Sequence, residues 1–150
     1  MGVVKTEWKP VTADFSKGAL DASVRRLADF LDVNRREGTL DYPFRSSYPH
    51  NCCESVSLIL LFLIEERYGV SNAQLIMGTS AEPYEHHFWV AVGDWRYDLT
   101  AHQFEGQEQI VGVDDAPLHR RFGDQEIDRR RDRVDRDQVI ALYRSGAIPF

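Results

Sequence analysis

Asn51-Cys52-Cys53-Glu54-Ser55-Val56-Ser57-Leu58-Ile59-Leu60-Leu61-Phe62-Leu63-Ile64-Glu65-Glu66-Arg67-Tyr68-Gly69 is the stretch on which the fold turns. It holds the most apolar run of the chain, it has the length of a helix, and Gly69 supplies a stop. The first half is apolar nearly all round, which predicts a helix over Cys52 to Tyr68 enclosed by the rest of the domain, with Glu65, Glu66 and Arg67 bringing its end to the surface. Two cysteines open the run. A thiol in the first helical turn meets unpaired backbone N–H groups and the positive end of the helix dipole, which favour a thiolate. The same cysteines also suit plain packing, because cysteine is among the most buried residue types.

The chain of 150 residues suits one domain spanning 1–150, large enough for a core without disulfide staples. A hydrophobic fraction of 43% and a charged fraction of 28% are those of a globular protein. The apolar run is too short to span a bilayer, and the N-terminal residues lack the apolar segment of a secretory signal, so no membrane association is expected. Adjacent cysteines rarely pair with each other, which favours a reducing, cytoplasmic compartment, with non-classical export as an effector as the other route. With 24 acidic and 18 basic side chains the net charge is −6. Such a chain gains no overall attraction to nucleic acid.

Outward from the central run, Leu20, Val24, Leu27, Ala28 and Leu31 recur at helical spacing after Asp14 or Ser16 and before Gly38, predicting an N-terminal helix from Lys17 or Leu20 to Arg36. Thr39 to Asn51, with Pro43, Pro49, Tyr42, Phe44 and Tyr48, reads as an ordered loop. Strands are predicted at Ala73–Met77, His87–Val92 and Trp95–Leu99, the last two joined by the hairpin signal Gly93-Asp94, and Gln109–Val113 adds a short one. The loop Thr79–Glu85 is placed on the surface. Asp124–Asp137 alternates Arg with Asp, which suits a helix held by i,i+4 ion pairs or a mobile surface segment. Val139, Ile140, Leu142 and Tyr143 suit a final helix ended by Gly146. The expected class is α+β: a central helix packed on an antiparallel sheet, with further helices towards both ends.

Alternation along a strand puts His87, Trp89 and Ala91 on one face and Phe88, Val90 and Val92 on the other, so that His87 can look towards the start of the helix. On the paired strand Arg96, Asp98 and Thr100 share a face, and the hairpin brings Asp98 near the register of His87. Cysteine, histidine and carboxylate in this order suit nucleophilic catalysis. The thiolate attacks a carbonyl carbon, the imidazole moves the proton, and the carboxylate orients and supports the imidazolium.

Cys53-Glu54-Ser55-Val56-Ser57, His87-Phe88-Trp89-Val90-Ala91-Val92 and Tyr97-Asp98-Leu99-Thr100-Ala101-His102-Gln103-Phe104 resemble the Cys, His and Asp motifs of the transglutaminase-like branch of the papain-like cysteine-enzyme superfamily, in particular small bacterial and phage-type proteins. The resemblance covers about the middle third of the chain, from Tyr48 to Phe104. It implies a papain-like or transglutaminase-like fold with Cys53 as nucleophile, His87 as base and Asp98 as orienting acid. The implied activity is that of a cysteine protease or amidase, with deamidase and transglutaminase chemistry as variants, on a peptide, protein or small amide substrate and without a cofactor. Glu54 departs from the small residue that follows the cysteine in such proteins, which keeps Cys52 as an alternative nucleophile, and His86 is the alternative to His87. Trp89 is expected in the core or as a lid, Thr100 and Gln103 as supports of Asp98, and Asn51 as a candidate oxyanion donor. Two other readings stand beside the enzyme: a binding module that keeps the groove without activity, and a metal site drawn from Cys52 or Cys53, His86, His87, Asp98 and His102, whose spacing matches no recurrent zinc motif.

Overall fold

The computed structural model describes residues 15–38, 40 and 47–150. Tyr42, Pro43 and Phe44 of the aromatic loop lie outside them. The class is α+β, as the hydrophobic patterning predicts. Helix α1 (Lys17–Glu37) starts where the Ser16 side chain accepts from the Ala19 N–H and ends at Gly38, whose φ of 64° closes the helix in the left-handed conformation. Helix α2 (Cys53–Tyr68) follows, closed in the same way by Gly69. Strands β1 (Ala73–Ala81), β2 (Tyr84–Val92), β3 (Trp95–Asp98), β4 (Ile110–Val113) and β5 (Asp124–Ile127) form one antiparallel sheet in the order β4-β3-β2-β1-β5. A short helix α3 (Pro117–Arg120) precedes β5, and α4 (Arg136–Arg144) comes last. Among the described residues no helix is long and apolar enough to cross a membrane.

Helix α2 has no polar face over its middle because it is covered on every side. Val56 to Ile64 are all buried. They pack with Phe88, Val90 and Val92 of β2, Leu75 of β1, Leu20, Val24 and Leu27 of α1, and Val139 and Ile140 of α4. Each fully buried aliphatic side chain of this kind contributes roughly 1.5–3 kcal/mol. Tyr68 pins the far end of α2 to α1 through a 2.6 Å hydrogen bond with Ser23 Oγ and by donating to Ala19 O. On the other face of the sheet, Trp89, Ala101, Leu118 and Phe122 form a second, smaller cluster. A Cβ on Gly78 would lie 2.6 Å from the Trp89 ring, so only glycine lets the indole lie flat against β1.

Two segments differ from the sequence expectations, and a short helix that they did not include follows β4. Thr79–Ala81 and Tyr84–His86 are paired strand rather than surface loop, because Glu82-Pro83 alone makes the turn between Ala81 and Tyr84. Asp114 to Pro117 ends β4 but also starts a helix, with proline in its first turn, where a missing N–H costs nothing. The Arg/Asp-rich segment begins as β5, paired through Ile76↔Ile127 to Thr79↔Asp124, and then runs beside α2. Arg133 faces Glu54, Arg131 faces Glu65 and Arg136 faces Glu66, an acid that Arg144, beyond the segment, also pairs. Its arginines thus pair with acids remote in sequence, from the first turn of α2 to the last, in addition to local pairs such as Arg130–Asp128. Each such exposed pair is worth at most about 1 kcal/mol, so together they strap α2 without driving its burial.

Candidate active site

The hairpin places the site. Gly93 and Asp94 make a two-residue turn with Val92 opposite Trp95 and Val90 opposite Tyr97. Continuing that register sets Asp98 across from Trp89 and diagonal to His87, on one face of the sheet. The side chains meet there: His87 Nε2 donates to Asp98 Oδ2 at 2.6 Å. The other oxygen of Asp98, Oδ1, accepts from the Thr100 N–H at 3.2 Å and from Thr100 Oγ1 at 3.4 Å. Gln103 Nε2 in turn donates to Thr100 Oγ1. Thr100 and Gln103 therefore form a chain of support behind the carboxylate.

Cys53 is the first residue of α2 and is half-buried, whereas Cys52, just outside the helix, is 5% exposed within the main core. The body of α2 covers the Phe88, Val90 and Val92 face of β2, not the face of His87. Its first residue nonetheless lies near enough to the imidazole for the Cys53 thiol to be among the groups that raise the His87 pKa. With Nε2 committed to Asp98, Nδ1 is the ring nitrogen left for the sulfur; it is buried and makes no closed hydrogen bond.

Burial opposes a charge on His87, but the hydrogen bond to Asp98 and the nearby Cys53 outweigh it and raise its pKa to about 9. His87 is thus an imidazolium at neutral pH. The consequence for stability has a definite sign: below the ordinary histidine value of about 6.5 the contribution is complete, and it is lost as pH rises through about 9. Urea unfolding across this interval is expected to show a falling midpoint that His87→Asn flattens. A midpoint in His87→Asn that falls as in the wild type would contradict the assignment.

Burial works against ionisation of Asp98 too, yet hydrogen bonds from His119 and His87 hold its carboxyl below the usual carboxylate range. His119 is the residue that the sequence did not announce. It sits on α3, 1% exposed, and its Nε2 bonds Asp98 Oδ2 at 2.8 Å. Its ring stacks on Trp89 with centroids 3.7 Å apart and planes 8° from parallel. Nothing in Pro117-Leu118-His119-Arg120 marks it, since the link to Asp98 is made only when α3 folds onto the second cluster.

Each remaining candidate has a different setting. His86 is exposed and bonds Thr79 Oγ1 through Nδ1 at 2.8 Å. His102 sits edge-on to the Tyr48 ring, and its Nε2 is 4.0 Å from Asp32. Asn51 is exposed with a φ of 59°, at the bend that leads into α2. Trp89 is fully buried in the second cluster, within the core and not as a lid. Of the metal set drawn from the sequence, His86 and His102 do not join His87 and Asp98. Among the described residues, potential ligand atoms converge at His87, Asp98 and His119, all within 4.8 Å of one another. That trio fits hydrogen bonding better than a metal, since a ligating histidine passes its other N–H to an oxygen and Nδ1 of both rings has no such partner.

Set against known proteins, the chain matches no family model and shows no significant similarity to a curated protein or to a solved structure.

Proposed function

We propose that the protein is a cysteine hydrolase or acyltransferase of papain-like, transglutaminase-like type, acting on a peptide or amide bond, with hydrolysis the leading activity. The observation that carries this reading is a buried imidazole that is hydrogen-bonded through Nε2 to Asp98, keeps Nδ1 without a partner, and has the Cys53 thiol, at the start of α2, among its neighbours. The Cys53 sulfur is the nucleophile: it forms a bond to the carbonyl carbon while the C=O electron pair moves onto oxygen. The oxyanion returns its electrons, the C–N bond breaks, and His87 gives its proton to the departing amine, leaving a thioester on Cys53. Water then attacks the thioester as His87 takes its proton, and Cys53 is released with the acid. An amine in place of that water gives acyl transfer, and a glutamine side chain as substrate gives deamidation. The backbone N–H of Cys53 and the side chain of Asn51 are the candidate oxyanion donors.

Iodoacetamide tests the reading on the intact protein. At neutral pH it is expected to label Cys53 ahead of Cys52, with His87→Ala slowing that label by about tenfold or more, because the imidazolium that supports the reactive sulfur is gone. Equal, slow labelling of both thiols, unchanged by His87→Ala, would favour a binding module without catalysis.

A further inference from the structure

Asp98 serves two histidines, and the mechanism above uses only one. Four hydrogen bonds converge on this carboxylate: two from Thr100 on Oδ1, and one each from His87 and His119 on Oδ2. Two imidazoles that share one oxygen cannot both carry charge cheaply, and their surroundings divide the roles. His87 is held as the cation. For His119, burial outweighs the attraction of Asp98, and the neighbouring charges of His87 and Arg96 push the same way, so it stays neutral. A neutral imidazole with its proton on Nε2 is a donor to Asp98 that adds no competing positive charge.

Resting on the Cys53–His87–Asp98 reading, we infer that His119 is a positioning residue of the same site: its Nε2–H keeps Asp98 ionised and aimed at His87. The stack on Trp89 fixes the ring plane, and the Gln125 side chain holds the backbone of α3 by donating to His119 O at 3.0 Å. Without that donor the buried carboxylate relies on Thr100 and His87 alone, gains a proton at a higher pH, and releases its hold on the imidazolium. The other titratable and charged groups around the cluster are Cys53 at His87, Arg96 towards His119, and Tyr48 and His102, both within the field of Asp98.

Two substitutions separate hydrogen bonding from packing. His119→Phe keeps an aromatic ring for Trp89 and removes the donor; His119→Gln keeps an N–H donor and removes the ring. The readout is the rate of iodoacetamide labelling at Cys53, resolved from Cys52 by fragment mass spectrometry, as a function of pH. His119→Phe is expected to move the acid limb up by about one pH unit, a roughly tenfold lower rate on that limb, while leaving the alkaline plateau unchanged. His119→Gln is expected to keep the wild-type limb, and it decides alone if His119→Phe does not fold: a shifted limb in His119→Gln overturns the inference. A wild-type limb in His119→Phe overturns it as well and assigns His119 to packing. Stoichiometric metal in the purified protein, lost in His119→Phe, would also overturn it, by making the trio a ligand set. If His87→Ala leaves labelling unchanged, the triad itself fails; if His87→Ala slows labelling and His119→Phe does not, only the role of His119 fails.

Discussion

Replacing Asp98 with alanine is expected to lower the unfolding free energy by about 3–5 kcal/mol, the cost of removing one partner from a buried charged pair. The size follows from what remains. His87 is fully buried and His119 is 1% exposed, and both aim an N–H at Asp98 Oδ2. Two Thr100 donors lose their acceptor in the same step. A large share of the loss should return in Asp98→Asn, whose side-chain oxygen still accepts, although the amide repels one of the imidazole donors. Urea unfolding of the three proteins at neutral pH measures this. An Asp98→Ala protein as stable as wild type would mean that the histidines do not depend on the carboxylate.

The second large effect concerns rate. His87→Ala is expected to slow acylation of Cys53 by p-nitrophenyl acetate by about 100-fold or more, the usual contribution of a positioned acid–base group. The reason is local: with the imidazolium gone, the sulfur keeps only the start of α2 as support for its negative charge. His86→Ala should leave the rate near wild type, since His86 bonds Thr79 and Tyr84 and not the site.

Much of this arrangement was legible in the residues. The all-round apolar run from Val56 to Ile64 specified a buried helix, and Gly93-Asp94 specified the hairpin whose register makes His87 and Asp98 diagonal neighbours. What escaped the sequence escaped for physical reasons. Strand β5 is Asp124-Gln125-Glu126-Ile127, exposed throughout, and its pairing is supplied by the free edge of β1, with no apolar alternation of its own to show it. The arginines that follow look like local i,i+4 partners of their neighbouring aspartates, yet several find their acids on α2, contacts that only the tertiary fold creates. His119 is the same case within the site. A histidine on a four-residue helix carries no periodic signal, and its importance comes from the carboxylate and indole it meets.

The choice between Cys52 and Cys53 shows how far spacing can go. Adjacent identical residues share most of their sequence context, and the helix start separates them: Cys52 is buried in the main core, while Cys53 begins α2, half-buried at the core's edge and among the neighbours of His87.

Site-resolved mass spectrometry of the protein quenched during turnover of p-nitrophenyl acetate reads out which sulfur, if either, is the nucleophile. In that reaction the thiolate takes the acetyl group and p-nitrophenolate leaves. The expected result is an acetyl thioester on Cys53, a burst of p-nitrophenolate equal to the protein present, and loss of both in Cys53→Ala. Acetyl shared equally between Cys52 and Cys53, or a burst that survives Cys53→Ala, would contradict it.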